Sequence, residues 1–397
     1  MAKNTKKRSG RTWTQAGAAR AARETRIATV RHLRTAEIAR AWQQQKLLTA
    51  YQNQVAHIGH APTATALLFG GMGYRPPFPT DWTEATERVL TDEARCLAEA
   101  DLYILSPQMC DVVIAAALTL TLDDLELLDE DDLPSRTGLI VLPHPIIVRT
   151  VGGALGDTRA FTWWTPSQIQ HPTADQRGLE DRPAVRISVY DDTHGPVQPD
   201  SFRDFAAQAR ALGTPLPPLL LDAIRCVPFR YAATDEQKQS LEAFHALVAE
   251  SGEATRDWHA ALGQDENRVI GDYTPGSQID NSDDSFSARF LYAFWRLCEQ
   301  RIATVTQADI NHSARITAER AGVPADVRVV QLRRTDQPAD QRPAGRDWQH
   351  RWVVRMHKVR QWYPSLQQHK VIYRGPYIKG PDGKPLLGGE TIRSLTR

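Results

Sequence analysis

Three features of the 397-residue sequence predict an α+β protein with a long basic N-terminal helix, a central mostly antiparallel sheet with flanking helices, and a small C-terminal β-unit. Residues 13–58 are rich in Ala, Arg and Gln and lack proline, and Ile27, Val30, Leu33, Ile38, Trp42, Leu47 and Tyr51 recur at mostly helical spacing. Four short runs, residues 138–142, 145–148, 160–164 and 185–190, are rich in β-branched and aromatic residues and stand between Gly and Pro clusters, the signal for a sheet. The last 48 residues combine strand-like alternation, interleaved aromatics and an excess of Arg and Lys.

Residues 1–10 are Lys-rich and polar and cannot bury enough surface to offset ordering entropy, so a disordered arm is expected. The helical stretch that follows reads as one helix or two. Its second face carries Arg20, Arg23, Arg26, Arg31, Arg34 and Arg40, a pattern that serves either a solvated face or contact with nucleic acid. Pro62 opens a new region, and Gly70-Gly71-Met72-Gly73 with Pro76, Pro77 and Pro79 marks a loop. Two short helices should follow, one capped at Thr91 and one over residues 107–118. Ser106-Pro107 starts the second, because Pro at the first helical position lacks only an N–H that has no partner there.

Residues 123–132 hold seven carboxylates and read as solvated acidic surface, since the glycine turn and ligand alternation of a calcium loop are missing. Beyond the sheet runs, helices are expected at 202–212, after Thr234 (Thr234 to Gln237 has capping-box spacing) and at 310–322. Phe286, Phe290, Leu291, Phe294 and Leu297 form a helical stripe suited to a core. A strand at 327–332 and a polar linker at 335–346 lead to the tail. There, if 351–359 is one strand, Trp352, Val354 and Met356 share a buried face and Arg351, Val353, Arg355 and His357 a wet one, with residues 370–373 alongside. The implied divisions are 1–60, 61–233, 234–334 and 335–397.

Charge narrows the function classes. The ends, residues 1–40 and 328–397, carry +9 and +10 within a whole-chain charge of +1, so the 287 residues between them carry −18. Such segregation argues for contact with a polyanion, DNA or RNA, and also allows self-association. The candidate phosphate contacts are Arg20, Arg23, Arg31, Arg34, Arg351, Arg355, His357, Lys358, Arg360, Lys370, Arg374 and Lys379. No apolar run approaches the roughly 18 to 20 residues of a membrane helix, and no apolar segment follows the basic N-terminus as in a signal peptide, so no membrane contact and a cytoplasmic location are expected.

Catalytic and metal signatures are sparse. Cys96, Cys110, Cys226 and Cys298 form no C-x-x-C pair and read as buried thiols. Gly70–Gly73 lacks the lysine and the following helix of a phosphate loop. Asp191, Asp192 and His194 could hold a divalent metal for nuclease chemistry, but with Gly195-Pro196 they equally make a turn. His350 and His357, seven residues apart on a strand, would lie about 23 Å from each other and on opposite faces. No cofactor, metal or catalytic set is therefore expected. The leading expectation is a nucleic-acid-associated protein that is not an enzyme; an assembly protein with charge-segregated surfaces and a metal-dependent nuclease are the alternatives.

The tail RWVVRMHKVRQWYPSLQQHKVIYRGPYIKGPDGKPL resembles the C-terminal segment of uncharacterised proteins of high-GC Gram-positive bacteria, their phages and plasmids, in which the pattern is approximately W-V-R-G-H-W-R-x-Q-W-Y-P-S and then W-I-x-P-Y-x-K-G-P-E-x-x-P-L. Arg355, His357, Gln361, Trp362, Tyr363, Pro364, Ser365, Pro376, Tyr377, Lys379, Gly380, Pro381, Pro385 and Leu386 match, and Arg360 does so by a shifted register. Met356 and Tyr373 depart from it, standing where the pattern has Gly and Trp. The resemblance implies a bacterial mobile-element setting and carries no activity with it.

Overall fold

The computed structural model describes residues 13–172, 179–261, 278–281, 283–300, 302–333, 348–354, 357–363, 368–374, 377–381 and 384–386. The expected arm at 1–10, the linker at 335–346, Arg355 and Met356 lie outside them. The chain begins with α1 (Gln15–Thr35) and α2 (Glu37–Ile58), parted at Ala36, whose extended backbone ends the first helix. A third helix, α3 (Ala61–Gly71), takes Pro62 into its first turn and runs through Gly70 and Gly71, so the expected loop starts only at Met72. Next, α4 (Trp82–Glu99) is a single 18-residue helix capped by Asp81, whose carboxylate accepts the Thr83 N–H. Thr91 is therefore mid-helix and not the cap expected of it. The Asp81 signal was the stronger one, because the apolar set Val89, Leu90, Ala94 and Leu97 continues backwards through Ala85 at helical spacing.

The sheet opens with β1 (Asp101–Leu105), then α5 (Pro107–Ala117), where Ser106 accepts the Met109 N–H as expected, and α6 (Leu122–Leu125). Two of the predicted runs fuse into β2 (Thr137–Arg149), with a bulge between Val141 and Ile146, and β3 (Leu155–Pro172) and β4 (Leu179–Asp192) follow. After α7 (Asp200–Ala211) come β5 (Leu219–Pro228), α8 (Asp235–Ala261), β6 (Ile279–Asp280), α9 (Phe286–Cys298), β7 (Ala303–Gln307), α10 (His312–Arg320) and β8 (Val327–Leu332). The capping box at α8 is present: Thr234 Oγ1 accepts the Gln237 N–H and Gln237 Oε1 accepts the Thr234 N–H.

The strands form one mixed sheet in the order β5-β4-β3-β2-β1-β8-β7, with β6 beside the end of β2. The meander from β2 to β5 is antiparallel, whereas β1 is parallel to both β2 and β8. Alternation sends Leu102, Ile104, Leu139, Val141, Val327 and Val329 to one face, against α1, α2, α3 and α4. Tyr103, Leu105, Ile140, Leu142, Phe161, Trp163 and Val330 point to the other, against α5 and α9. The expected α9 stripe is buried there, with Phe290 stacked on Phe161 and Phe294 near Trp163. The result is an α+β fold with helices over both faces of the sheet, and no described helix is long and apolar enough to cross a membrane.

The tail folds as short pieces. Its β9 (Trp352–Val354) pairs with β12 (Tyr377–Lys379), and β10 (His357–Tyr363) pairs with β11 (Gln368–Arg374). The residues on either side of 355–356 thus pair with different strands, and over 352–354 the expected faces are reversed: Val353 is buried in the α5 and α9 core, while Trp352 and Val354 are half-buried. Val353 fills the site because it meets an apolar surface already supplied by α5, a tertiary demand that alternation alone does not reveal. Trp42, one of the helically spaced residues of 13–58, is 36% exposed.

Gly138 faces Trp163 across β2 and β3, and a Cβ there would stand 2.0 Å from the indole. Since the Trp163 ring is locked among Tyr103, Phe294 and Trp295, Gly138→Ala should destabilise by about 1 to 3 kcal/mol through overpacking. A urea titration that leaves the midpoint unchanged would place the ring elsewhere.

Candidate functional site

One face of β4 carries Arg186, Ser188 and Tyr190, alternating with the apolar Val185, Ile187 and Val189 that face α9. Above the polar three lies α4, and its Glu93 is fully buried against them. Arg186 Nη2 donates to Glu93 Oε1 at 2.7 Å, Ser188 Oγ donates to the same oxygen at 2.9 Å, and the Tyr190 hydroxyl donates to Oε2. A carboxylate out of water needs this many donors to be tolerated. Burial alone would lower the Arg186 pKa; Tyr74 and Glu93 more than offset it and hold the guanidinium charged, above its ordinary value.

Arg186 is also the floor of an open cleft of about 350 Å³ lined by Gly73, Tyr74, Arg75, Asp92, Trp164, Ser167, Gln168 and Arg186. Trp164 sits opposite Arg186 in the β3–β4 register, and the register shifts between Trp164 and Ser167. Pro166 falls in that irregularity, where a residue without an N–H is tolerated, and the local bend re-aims neighbouring side chains. The other wall is the segment after α3. Gly73 there has φ +84°, and a Cβ would meet Cys226 Sγ at 2.7 Å and Ser167 Oγ at 2.9 Å, so only glycine lets the backbone lie this close to the sheet.

Arginines stack on both aromatic walls. Arg88 and Arg186 lie 4.8 and 5.0 Å from the Tyr74 ring centre, and Arg95 lies 4.7 Å from that of Trp164. At the rim, Arg75 pairs with Asp181 at 2.7 Å and Arg95 with Asp92 at 3.0 Å, contacts exposed enough to exchange for a ligand. Cys96 and Cys226, below the cleft, have thiols pushed up by burial, the first to about 12, and neither is poised as a nucleophile. The cleft thus offers one partly exposed aromatic side chain, Trp164, beside guanidinium groups, while the Tyr74 ring is only 5% exposed.

The sequence-predicted contacts are distributed differently. On α1, Arg20 is exposed and paired with Glu24, and Arg31 and Arg34 are exposed. Arg23 and Arg26 are not on that wet face: Arg23 is buried and donates to the Ala19 carbonyl, while Arg26 is wholly buried and donates to the carbonyls of Ala100 and Pro324. Both lie on the side of α1 turned to α4 and β8, where orphan carbonyls at the end of α4 and before β8 need donors. In the tail, Arg351 Nε donates to the Lys384 carbonyl and Lys379 is exposed. For His357, Lys358, Arg360, Lys370 and Arg374 the backbone register places Lys358 across from Tyr373, Arg360 from Val371, Gln361 from Lys370, and His357 from Arg374. The cleft is not among the predicted sites. Its signal was the polar alternation Arg186, Ser188, Tyr190 in a strand that a helix also covers.

The segment 123–132 is less solvated than expected. Asp132 is buried and pairs with Arg296, Asp129 pairs with Arg230, and Asp123 and Glu126 share Lys238. Asp192 accepts the His194 N–H at 2.9 Å and Gly195 N–H reaches the Asp192 carbonyl, which makes the expected turn. Asp191 turns away towards Asp222 and Lys46, and among the described residues no three His, Cys, Asp or Glu side chains gather as a metal-binding group. Comparison of the chain with known protein families, characterised proteins and solved structures finds no match.

Two outcomes follow from this geometry. Glu93→Ala should cost about 3 to 5 kcal/mol in denaturant unfolding, because it leaves a buried guanidinium without its counter-charge. Asp157, buried beside Asp192 and accepting the Val197 N–H, has its carboxyl pushed up to about 7 by burial. The folded state then binds this proton more tightly than the unfolded chain, so the group's contribution to stability falls as pH rises from about 4 to about 7 and is flat above. Asp157→Asn should flatten the pH dependence of Tm in that window; an unaltered profile would show that Asp157 titrates normally.

Proposed function

We propose that the protein binds single-stranded nucleic acid without acting on it chemically, holding a base on Trp164 and phosphate on the arginines around it. The observation that supports this reading is the partly exposed Trp164 ring with Arg75, Arg95 and Arg186 around it at one cleft. Stacking on aromatic faces plus backbone neutralisation is how single strands are held without regard to sequence. Arg31 and Arg34 on α1 and the basic tail would add long-range attraction, which raises the encounter rate more than it shapes the contact.

Among the lining residues, Ser167 is the only hydroxyl or thiol side chain besides the Tyr74 phenol, and its described neighbour is Cys226, not a base that could activate it. Charge-driven self-assembly through residues 123–132 is less favoured, since Lys238, Arg230 and Arg296 already pair with four of its seven carboxylates. The C-terminal resemblance would place such a binder in a phage or plasmid of a bacterium.

Fluorescence anisotropy with an oligothymidylate tests the reading. Affinity should fall steeply between about 50 and 200 mM salt as counterions are released. Trp164→Ala should weaken binding by about 1 to 3 kcal/mol, the worth of one stacked base, at every salt concentration. Absence of binding at 50 mM salt, or a Trp164→Ala protein that binds as the parent does, would overturn it.

A further inference from the structure

Across the sheet from the cleft, the tail presents a second group of aromatic rings. There β9 and β12 dock by one face: Val353, and Ile378 opposite it in the register, pack with Leu386 on the α5 and α9 core. Alternation turns Trp352 and Lys379, paired in the same register, to the outer face. The Trp348 ring centre lies 4.7 Å from that of Trp352 at a tilt of 44°, and His350 meets Trp352 edge-on at 6.2 Å. Trp348 is nonetheless 41% exposed. A single apolar side chain in water is ordinary, but two indoles and an imidazole gathered at the surface form a patch of the kind that marks a binding surface.

The charge beside the patch narrows its occupant. Residues 348–386 hold eight Lys and Arg against one carboxylate, Asp382. Lys379 is exposed across from Trp352, Lys384 Nζ donates to Gln349 Oε1 at 3.1 Å, and Arg351 Nε donates to the Lys384 carbonyl at 2.9 Å. A cationic ligand, although attracted to indole faces, is repelled by these neighbours. Flat rings carried on a chain of anions meet both demands, and a single strand of nucleic acid is such a chain.

Resting on the single-strand reading above, we infer that the tail adds to its long-range attraction a second strand contact, separate from the cleft, in which Trp348 and Trp352 take a base and Lys379 and Lys384 the flanking phosphates. The full-length protein should be irradiated with an oligothymidylate carrying 5-iodouracil in place of one thymine, then digested with trypsin and mapped. Crosslinks are expected in 347–351, the peptide that holds Trp348. Trp348→Ala, an exposed change, should keep the parent's Tm and weaken affinity about 10-fold at every salt concentration, as loss of a stacked base does. Lys379→Gln should instead reduce the slope of log affinity against log salt by about 0.7, the share of one phosphate on a single strand. If 347–351 takes no crosslink, or Trp348→Ala binds as the parent does, the tail contact is wrong; weakening by Trp164→Ala would then leave the single-strand reading standing. If the tail crosslinks and Trp164→Ala is neutral, the tail contact stands and the cleft is not a strand site. If no strand binds at about 50 mM salt, both fall.

Discussion

The Glu93 carboxylate is the constraint on which the rest of the cleft depends. It is the one charged group of α4 that is wholly buried, and three successive outward rungs of β4 converge on it. Those contacts do two things together. They tie α4 to β4, and they fix the orientation of the Arg186 guanidinium. A buried ion pair contributes little net stability compared with a well-packed apolar replacement, so its use here is better understood as positioning. An arginine held in place by a carboxylate and a phenol presents its plane without losing rotamer entropy when a ligand arrives.

Much of the fold could be read from local chemistry, and what could not was set by long-range packing. The caps at Ser106 and Thr234, the aromatic stripe of α9, and the runs that became β2, β3 and β4 were legible because each carries its own periodicity or hydrogen-bond signal. The strands β1, β5 and β7 were not. Five residues, Asp101 to Leu105, lie at the centre of the sheet, yet nothing in so short an apolar run distinguishes it from the end of the preceding helix. Its identity as a strand depends on β2 and β8, which arrive from 36 and 226 residues later along the chain. Val353 illustrates the same limit at residue scale, since alternation gives two faces but not which one meets a core.

The charged residues were legible as types and not as roles. Counting Arg and Lys at the chain ends treats every guanidinium as solvated, but Arg23 and Arg26 are buried on α1 and Arg186 beneath α4. Arginine can do this because its fork satisfies several carbonyls or a carboxylate at once, as Arg26 does for Ala100 and Pro324. Net charge is therefore a statement about the field of the whole molecule, and the cleft arginines contribute to it while also being fixed parts of the core. No feature of composition could have separated them from Arg31 or Arg34.

The helical layer over α1 to α4 is not uniform, and the position of the cleft follows from that. Over β1, β2 and β8 the sheet offers Leu102, Ile104, Leu139, Val141, Val327 and Val329, and the helices seal it dry. Over β4 and β5 the same face carries Arg186, Ser188 and Asp222, with Lys46 of α2 reaching Asp222 at 2.5 Å, and these must be matched donor to acceptor. Matching groups fixes their positions but fills space less completely than apolar side chains do, because each pair has a required distance and direction. A cleft is consequently easiest to keep open where the polar half of the face meets the end of its helical cover. That is where the β3 irregularity, the Gly73 backbone and the Arg186 floor come together, so the site is a consequence of how polar groups were accommodated in the sheet as much as of the residues that line it.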